Sequence, residues 1–190
     1  MSVSSASPRQ QELLEAAYAY ALSNGLAGMS LRPLAAAIGS SPRVLLFLFG
    51  SKDGLIRALL SRARADELTY LGTLRGQQDE SGLATAGRDV WAWLAAPPHR
   101  ALLVLWAEGY ARSLLGEPGP WAAFAAETVS DWLDLLAARQ PAGRRDTAAG
   151  RDERTLLLAV LRGALLDLLA TGDTARVTRA VDLHLATLTD

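Results

Sequence analysis

The chain contains no cysteine among its 190 residues, which excludes disulfides and thiolate metal sites. Histidine is nearly as scarce. With only His99 and His184, far apart in sequence, a transition-metal centre would have to rest on carboxylates, so no metal and no cofactor is expected. Lysine occurs once, at Lys52, and arginine supplies the remaining positive charge. Strand signals are almost missing: there are no period-two runs of Val, Ile, Thr and aromatic residues, and no Asn-Gly or Asp-Gly turn between such runs. Charges or glycines cut every apolar run well short of the ~20 residues that span a bilayer. The opening MSVSSASPRQQE lacks an apolar signal core. A soluble, cytoplasmic chain with no membrane partner is expected. Nothing resembles a serine or cysteine nucleophile beside a base, or a glycine-rich phosphate loop before a lysine, so no catalytic residue is assigned.

The net charge of −1 hides an asymmetry. Residues 1–65 carry seven cations (Arg9, Arg32, Arg43, Lys52, Arg57, Arg62, Arg64) against three carboxylates (Glu12, Glu15, Asp53), a net of +4, and the rest of the chain carries −5. A basic head on an acidic body is what nucleic-acid binding requires, because phosphates need neutralising only where DNA lies.

Helical signals fill the space that strands leave. Leu14, Ala17, Tyr18, Ala21 and Leu22 follow the 3–4 spacing of one helix face, and Gly25 stops that helix, predicted over residues 8–24. Ser30 is placed to cap a second helix with the apolar face Leu31, Leu34, Ala35 and Ile38, which Gly39 ends. Ser41 followed by Pro42 is the preferred start of a third, short helix from Val44 to Leu48, closed by Gly50. Ser51 caps a long fourth helix, 52–74, with the stripe Leu55, Ile56, Leu59, Leu60 and Ala63. Further helices follow, with breaks at Gly76–Gly82, Ala96–Pro98, Gly116–Pro120 and Pro141–Gly150; the last, PAGRRDTAAGRDE, reads as polar and mobile. Two strongly apolar helices close the chain, at 152–171 and 174–189. The fold class is all-α, with a head at 1–51 and a helical bundle at 52–190, joined by the helix 52–74.

Two helices joined by a tight glycine-bearing turn match the helix-turn-helix plan, whose second helix enters the major groove. Ser40, Ser41, Pro42, Arg43 and Val44 would face the bases, Arg43 suiting guanine and Val44 a thymine methyl. Arg32 and Phe47 join this set, and Lys52, at the N-terminus of the fourth helix, suits a phosphate. The stretch Leu13–Leu60, with Ala16-Ala17, Gly25, Met29-Ser30-Leu31, Leu34-Ala35, Ile38-Gly39, Ser41 and Phe49-Gly50-Ser51-Lys52-Asp53-Gly54-Leu55, resembles the DNA-binding domain of the tetracycline repressor (TetR) family. That resemblance covers about a quarter of the chain. It implies a dimeric, usually repressing regulator of about nine helices that binds double-stranded operator DNA and is released by ligand. One departure stands out: where the family carries a tyrosine and a histidine just before the phenylalanine matching Phe49, this chain has Leu45-Leu46-Phe47-Leu48, with no hydroxyl or imidazole.

The middle of the chain is rich in rings: Trp91, Trp93, Trp106, Tyr110, Trp121, Phe124 and Trp132, all read as helical. An apolar cavity with few polar anchors is the usual small-molecule site. Trp91, Trp106, Tyr110, Trp121, Phe124 and Trp132 are the expected lining for a small apolar effector, with Glu108, Arg112, Glu127 or Asp131 as anchors. The same rings could simply fill a helical core. In the last two helices, Leu157, Val160, Leu161, Ala164, Leu168, Val177, Val181, His184, Leu185 and Leu188, with Gly163 allowing close approach, are the expected homodimer face. The fourth helix would couple effector to DNA, its first turn on the backbone and its later turns, Leu68 and Leu71, on the aromatic helices. The competing class is a helical protein-interaction module that binds no DNA, favoured by Leu46 and Leu48.

Overall fold

The computed structural model describes residues 7–26, 28–76, 82–116 and 119–188. Among these there are ten α-helices and no strand: α1 Pro8–Asn24, α2 Leu31–Ala37, α3 Pro42–Phe49, α4 Lys52–Gly76, α5 Gly82–Ala95, α6 Arg100–Leu114, α7 Phe124–Arg139, α8 Ala142–Arg145, α9 Ala148–Thr171 and α10 Thr174–Leu185. A short 3₁₀ turn, Pro97–His99, precedes α6. Among the described residues no single helix is long and apolar enough to cross a membrane.

Local chemistry sets the helix starts. The Ser7 hydroxyl accepts the Gln10 N–H at 3.2 Å, Ser41 accepts the Val44 N–H at 3.3 Å and Ser51 accepts the Gly54 N–H at 2.9 Å, each satisfying a donor that a helix leaves orphaned. Ser30 occupies the expected cap position of α2, but its hydroxyl makes no cap bond. The segment from Pro141 to Gly150, expected to be a mobile loop, is instead ordered by hydrogen bonds. The Arg145 guanidinium donates to the Ala137 carbonyl at 2.8 Å, and the buried Gln140 carboxamide donates to the Gly150 carbonyl at 2.9 Å. Thr147 caps α9 through the Gly150 N–H at 3.0 Å, so α9 starts earlier than the expected residue 152. Trp121 lies in the turn before α7 rather than in a helix.

The chain packs as two compact units, Met1–Asp66 with Val104–Ala125, and Glu67–Leu103 with Ala126–Asp190. In the first, Leu13, Ala17, Leu34, Leu45, Leu55, Leu59 and Leu105 are fully enclosed, so the helix-turn-helix shares its core with part of α6. A charged cluster fastens α1 to α4: the Arg62 guanidinium bonds the Glu15 carboxylate at 2.8 Å and also Asp66. The Tyr18 hydroxyl donates to Asp66 at 2.9 Å and lies under Arg62. Burial, reinforced by the Asp66 bond, pushes that phenol well above its ordinary range. The second unit is built on α5, α9 and α10, which pack pairwise. Gly87 permits this: a Cβ there would stand 2.5 Å from Leu185 Cδ2 and 3.2 Å from Leu157 Cδ1.

Candidate functional site

The turn between α2 and α3 runs Ile38-Gly39-Ser40-Ser41, and the two helices are bent by 102°, within the range of a DNA-binding helix-turn-helix. Gly39 has φ +64°, a left-handed conformation that glycine adopts without strain. Behind α3, Gly54 presses on the end of the helix so closely that a Cβ would overlap the Phe49 carbonyl oxygen. The Gln10 side chain donates to the Leu48 carbonyl at 3.0 Å, so α1 and α4 hold α3 from two sides. Leu45 faces the core at 1% exposure. Arg43, Val44, Leu46 and Phe47 face outward, Phe47 at 85% exposure.

Arg32, Arg43 and Lys52 are exposed and form no ion pair among the described residues, in contrast to Arg9 with Glu12 and Arg62 with Glu15. Unpaired cations around an outward helix are what a phosphate backbone engages. Two of the expected DNA-facing groups are otherwise disposed. The Ser40 hydroxyl is shielded from solvent with no partner, and the Ser41 hydroxyl is engaged as the α3 cap. Pro42 is half-buried at the helix start.

The six expected effector-lining rings divide between the units. Trp106, Tyr110, Trp121 and Phe124 belong to the first, Trp91 and Trp132 to the second. The Trp106 and Tyr110 rings meet at a tilt of 32° with centroids 4.8 Å apart, and the buried Trp106 indole N–H has no partner among the described residues. Arg112 sits 5.0 Å from the Trp121 ring centre. Glu108 accepts the Leu26 N–H at 2.7 Å with one oxygen, and its other oxygen is enclosed without a partner. Glu127 is exposed and Asp131 half-buried on α7. In the second unit the rings are engaged structurally. Trp91 donates to Thr178 Oγ1 at 3.0 Å, Trp132 donates to the buried Glu67, and Trp93 is stacked on Tyr70 and on His99. Two surface clefts of about 370 and 220 Å³ lie in that unit, and none of the six rings lines either. Sequence reading missed Glu67, the Arg139–Asp89 pair at 3.0 Å and the Glu108 bond, all of which join residues distant in the chain.

Solved structures share this arrangement along nearly the whole chain. The multidrug-binding protein EbrR is 26% identical over 94% of this chain and 90% of its own, with a TM-score of 0.67. A TetR-family member from Streptomyces coelicolor is 25% identical over 94% and 98%, with a TM-score of 0.68. The chain has the fold of TetR-family transcriptional regulators. A transcriptional regulator from a Rhodococcus species, 20% identical over 93% and 94%, has the same fold at a TM-score of 0.69. No protein-family model matches the chain, and no curated protein matches it.

The residues expected to form a dimer face in the last two helices differ in their exposure within the single chain. Leu157, Leu161, Leu168, Val177, Val181 and Leu185 are buried within the chain's own core, where α9 and α10 pack on α5. Val160, Ala164, His184 and Leu188 are half-buried, with Leu188 lining the larger cleft and the His184 Nε2 enclosed without a partner. Gly163 alone of the set is open, with nothing near the position of a Cβ. The outward stripe of α9 is Leu156, Ala159, Gly163, Leu166 and Ala170, a regular 3–4 alternation, and Leu183 of α10 is 73% exposed.

Proposed function

We propose that this protein is a dimeric TetR-family repressor that grips a twofold operator with α3 and is released by an aromatic, apolar effector held beside Trp106, Tyr110, Trp121 and Phe124. The observation that carries the DNA reading is the outward face of α3, set 102° from α2 and flanked by the unpaired Arg32, Arg43 and Lys52. Support for the effector comes from EbrR, whose structures hold proflavin and malachite green, and from the unpartnered Trp106 N–H beside Tyr110. Support for the dimer comes from the leucines left open on α9 and α10. A twofold protein calls for a twofold operator, with half-sites about one helical turn or a multiple apart.

Release follows from the position of Glu108. It shares α6 with Trp106 and Tyr110 and holds the Leu26 N–H just past the end of α1. An effector that displaces α6 therefore draws on the chain leading into the helix-turn-helix. Changing operator occupancy from about 99% to about 1% requires roughly a 10⁴-fold preference for the released state, or ~5.5 kcal/mol. Burying an aromatic molecule's apolar surface at ~25 cal/mol per Å² reaches that figure within a few hundred Å². Proflavin titrated into the protein, free and bound to operator, tests this by tryptophan fluorescence. Linkage requires operator to weaken dye binding by the factor by which dye weakens operator binding. Equal dye affinity for the two forms contradicts release.

A further inference from the structure

Of the eight residues of α3, only Arg43 has a hydrogen-bonding side chain. The neighbouring serines are withdrawn, Ser40 by enclosure and Ser41 by capping. The outward face of the helix therefore offers one guanidinium and three apolar side chains: Val44 at 37%, Leu46 at 41% and Phe47 at 85% exposure. In the major groove every base-pair edge carries donors and acceptors, and the apolar group among them is the thymine C5 methyl. A phenyl ring set against N7, O6 or an amino group leaves that group desolvated and unpaired, whereas against a methyl it leaves nothing unsatisfied.

Resting on the DNA-binding reading above, we propose that this recognition helix reads thymine methyl groups, with Phe47 and Val44 as the reading side chains and Arg43 supplying a single polar contact. The occupant is the major groove rather than a protein or a lipid surface, because Arg43 on the helix itself and Arg32 and Lys52 on the helices before and after it are exposed without an ion pair among the described residues, and the helix is set as in a helix-turn-helix. Arg43 and Phe47 are one turn apart, ~6 Å along the helix, so the methyls lie one to two base pairs from the base that Arg43 contacts.

The test starts with selection of binding sites by the full-length protein from a randomised duplex pool. Thymines of the enriched duplex are then replaced one at a time by deoxyuridine, which deletes the methyl and keeps every hydrogen bond and phosphate. The expected result is a loss of about fourfold in affinity per contacted methyl, the equivalent of ~0.8 kcal/mol for one buried carbon. When both half-sites are changed the loss is about fifteenfold. Phe47→Ala, at an exposed position that leaves the core intact, should abolish the uridine effect at its own thymine and preserve it at the thymine met by Val44. An enriched duplex that binds equally well with uridine throughout overturns methyl reading and leaves DNA binding standing. Undiminished uridine sensitivity at every position in Phe47→Ala removes Phe47 from the reading set. A pool from which no sequence is enriched overturns the DNA-binding reading itself.

Discussion

Leu166→Glu should convert the proposed dimer to a monomer without unfolding it. Leu156, Leu166 and Leu183 are 56%, 53% and 73% exposed, nearly two leucines' worth of open apolar surface per protomer, and a twofold axis doubles it. At ~2 kcal/mol per buried leucine these side chains alone contribute roughly 7 kcal/mol to association, against the ~8 kcal/mol that a micromolar Kd represents. The substitution removes two half-exposed leucines from the seam and sets two like charges there, a loss of about 4 kcal/mol or roughly a thousandfold in Kd. Sedimentation velocity at micromolar concentration reads this directly. The control is Leu161→Ala, which is 1% exposed and lies on the face first expected to make the dimer. It should lower stability by ~2–5 kcal/mol through a cavity and leave the Kd for self-association unchanged. Leu166→Glu sedimenting as a dimer, or Leu161→Ala dissociating at full stability, refutes the assignment of the outer stripe.

Three further outcomes are expected. Glu108→Ala strands the Leu26 N–H, whose residue is 2% exposed, and should lower stability by ~1–3 kcal/mol in urea unfolding; Glu108→Gln keeps an acceptor and should lose less than half as much, and equal losses contradict the role of that bond. Arg43→Ala should weaken binding to the selected operator more than to random duplex, by ~1–3 kcal/mol, whereas Lys52→Ala should weaken both alike, and gel-shift titrations on the two duplexes separate them. Hydrogen bonds from Arg176 hold the Asp167 carboxyl below its ordinary 3.8, so the stability it lends is present above about pH 4 and is lost as pH falls. Asp167→Asn should therefore flatten the acid limb of Tm against pH, and an unchanged limb contradicts the pairing.

Much of the head is legible in sequence because its signals are local. Ser41-Pro42 and Ser51 each act within one turn, and Gly39 and Gly50 mark the ends of the helices they follow, so α1 to α4 begin where the spacing places them. Which residues of α9 are open at the surface was not legible, for a physical reason. Helix α9 is apolar on nearly every side, and the buried set Leu157, Leu161, Leu165 and Leu168 lies beside the open set Leu156, Ala159, Gly163 and Leu166. Periodicity alone cannot say which of two adjoining apolar stripes meets α5. The aromatic set was pooled for a similar reason. The i, i+4 spacing of Trp106 and Tyr110 is readable, whereas the bonds of Trp91 to Thr178 and of Trp132 to Glu67 join residues 87 and 65 positions apart. Order in Pro141–Gly150 was equally hidden, since it depends on Gln140 and Arg145 finding backbone carbonyls.

The central claim, operator binding through α3 with its flanking cations, is tested most directly by the salt dependence of affinity for the selected duplex. If Arg32 and Lys52 of each protomer each neutralise one phosphate, log K should fall linearly with log salt at a slope of roughly −4. Lys52→Ala should reduce that slope by about 2 in the dimer, one phosphate per half-site. A slope near zero, or one that Lys52→Ala leaves unchanged, contradicts the assignment of this face to DNA.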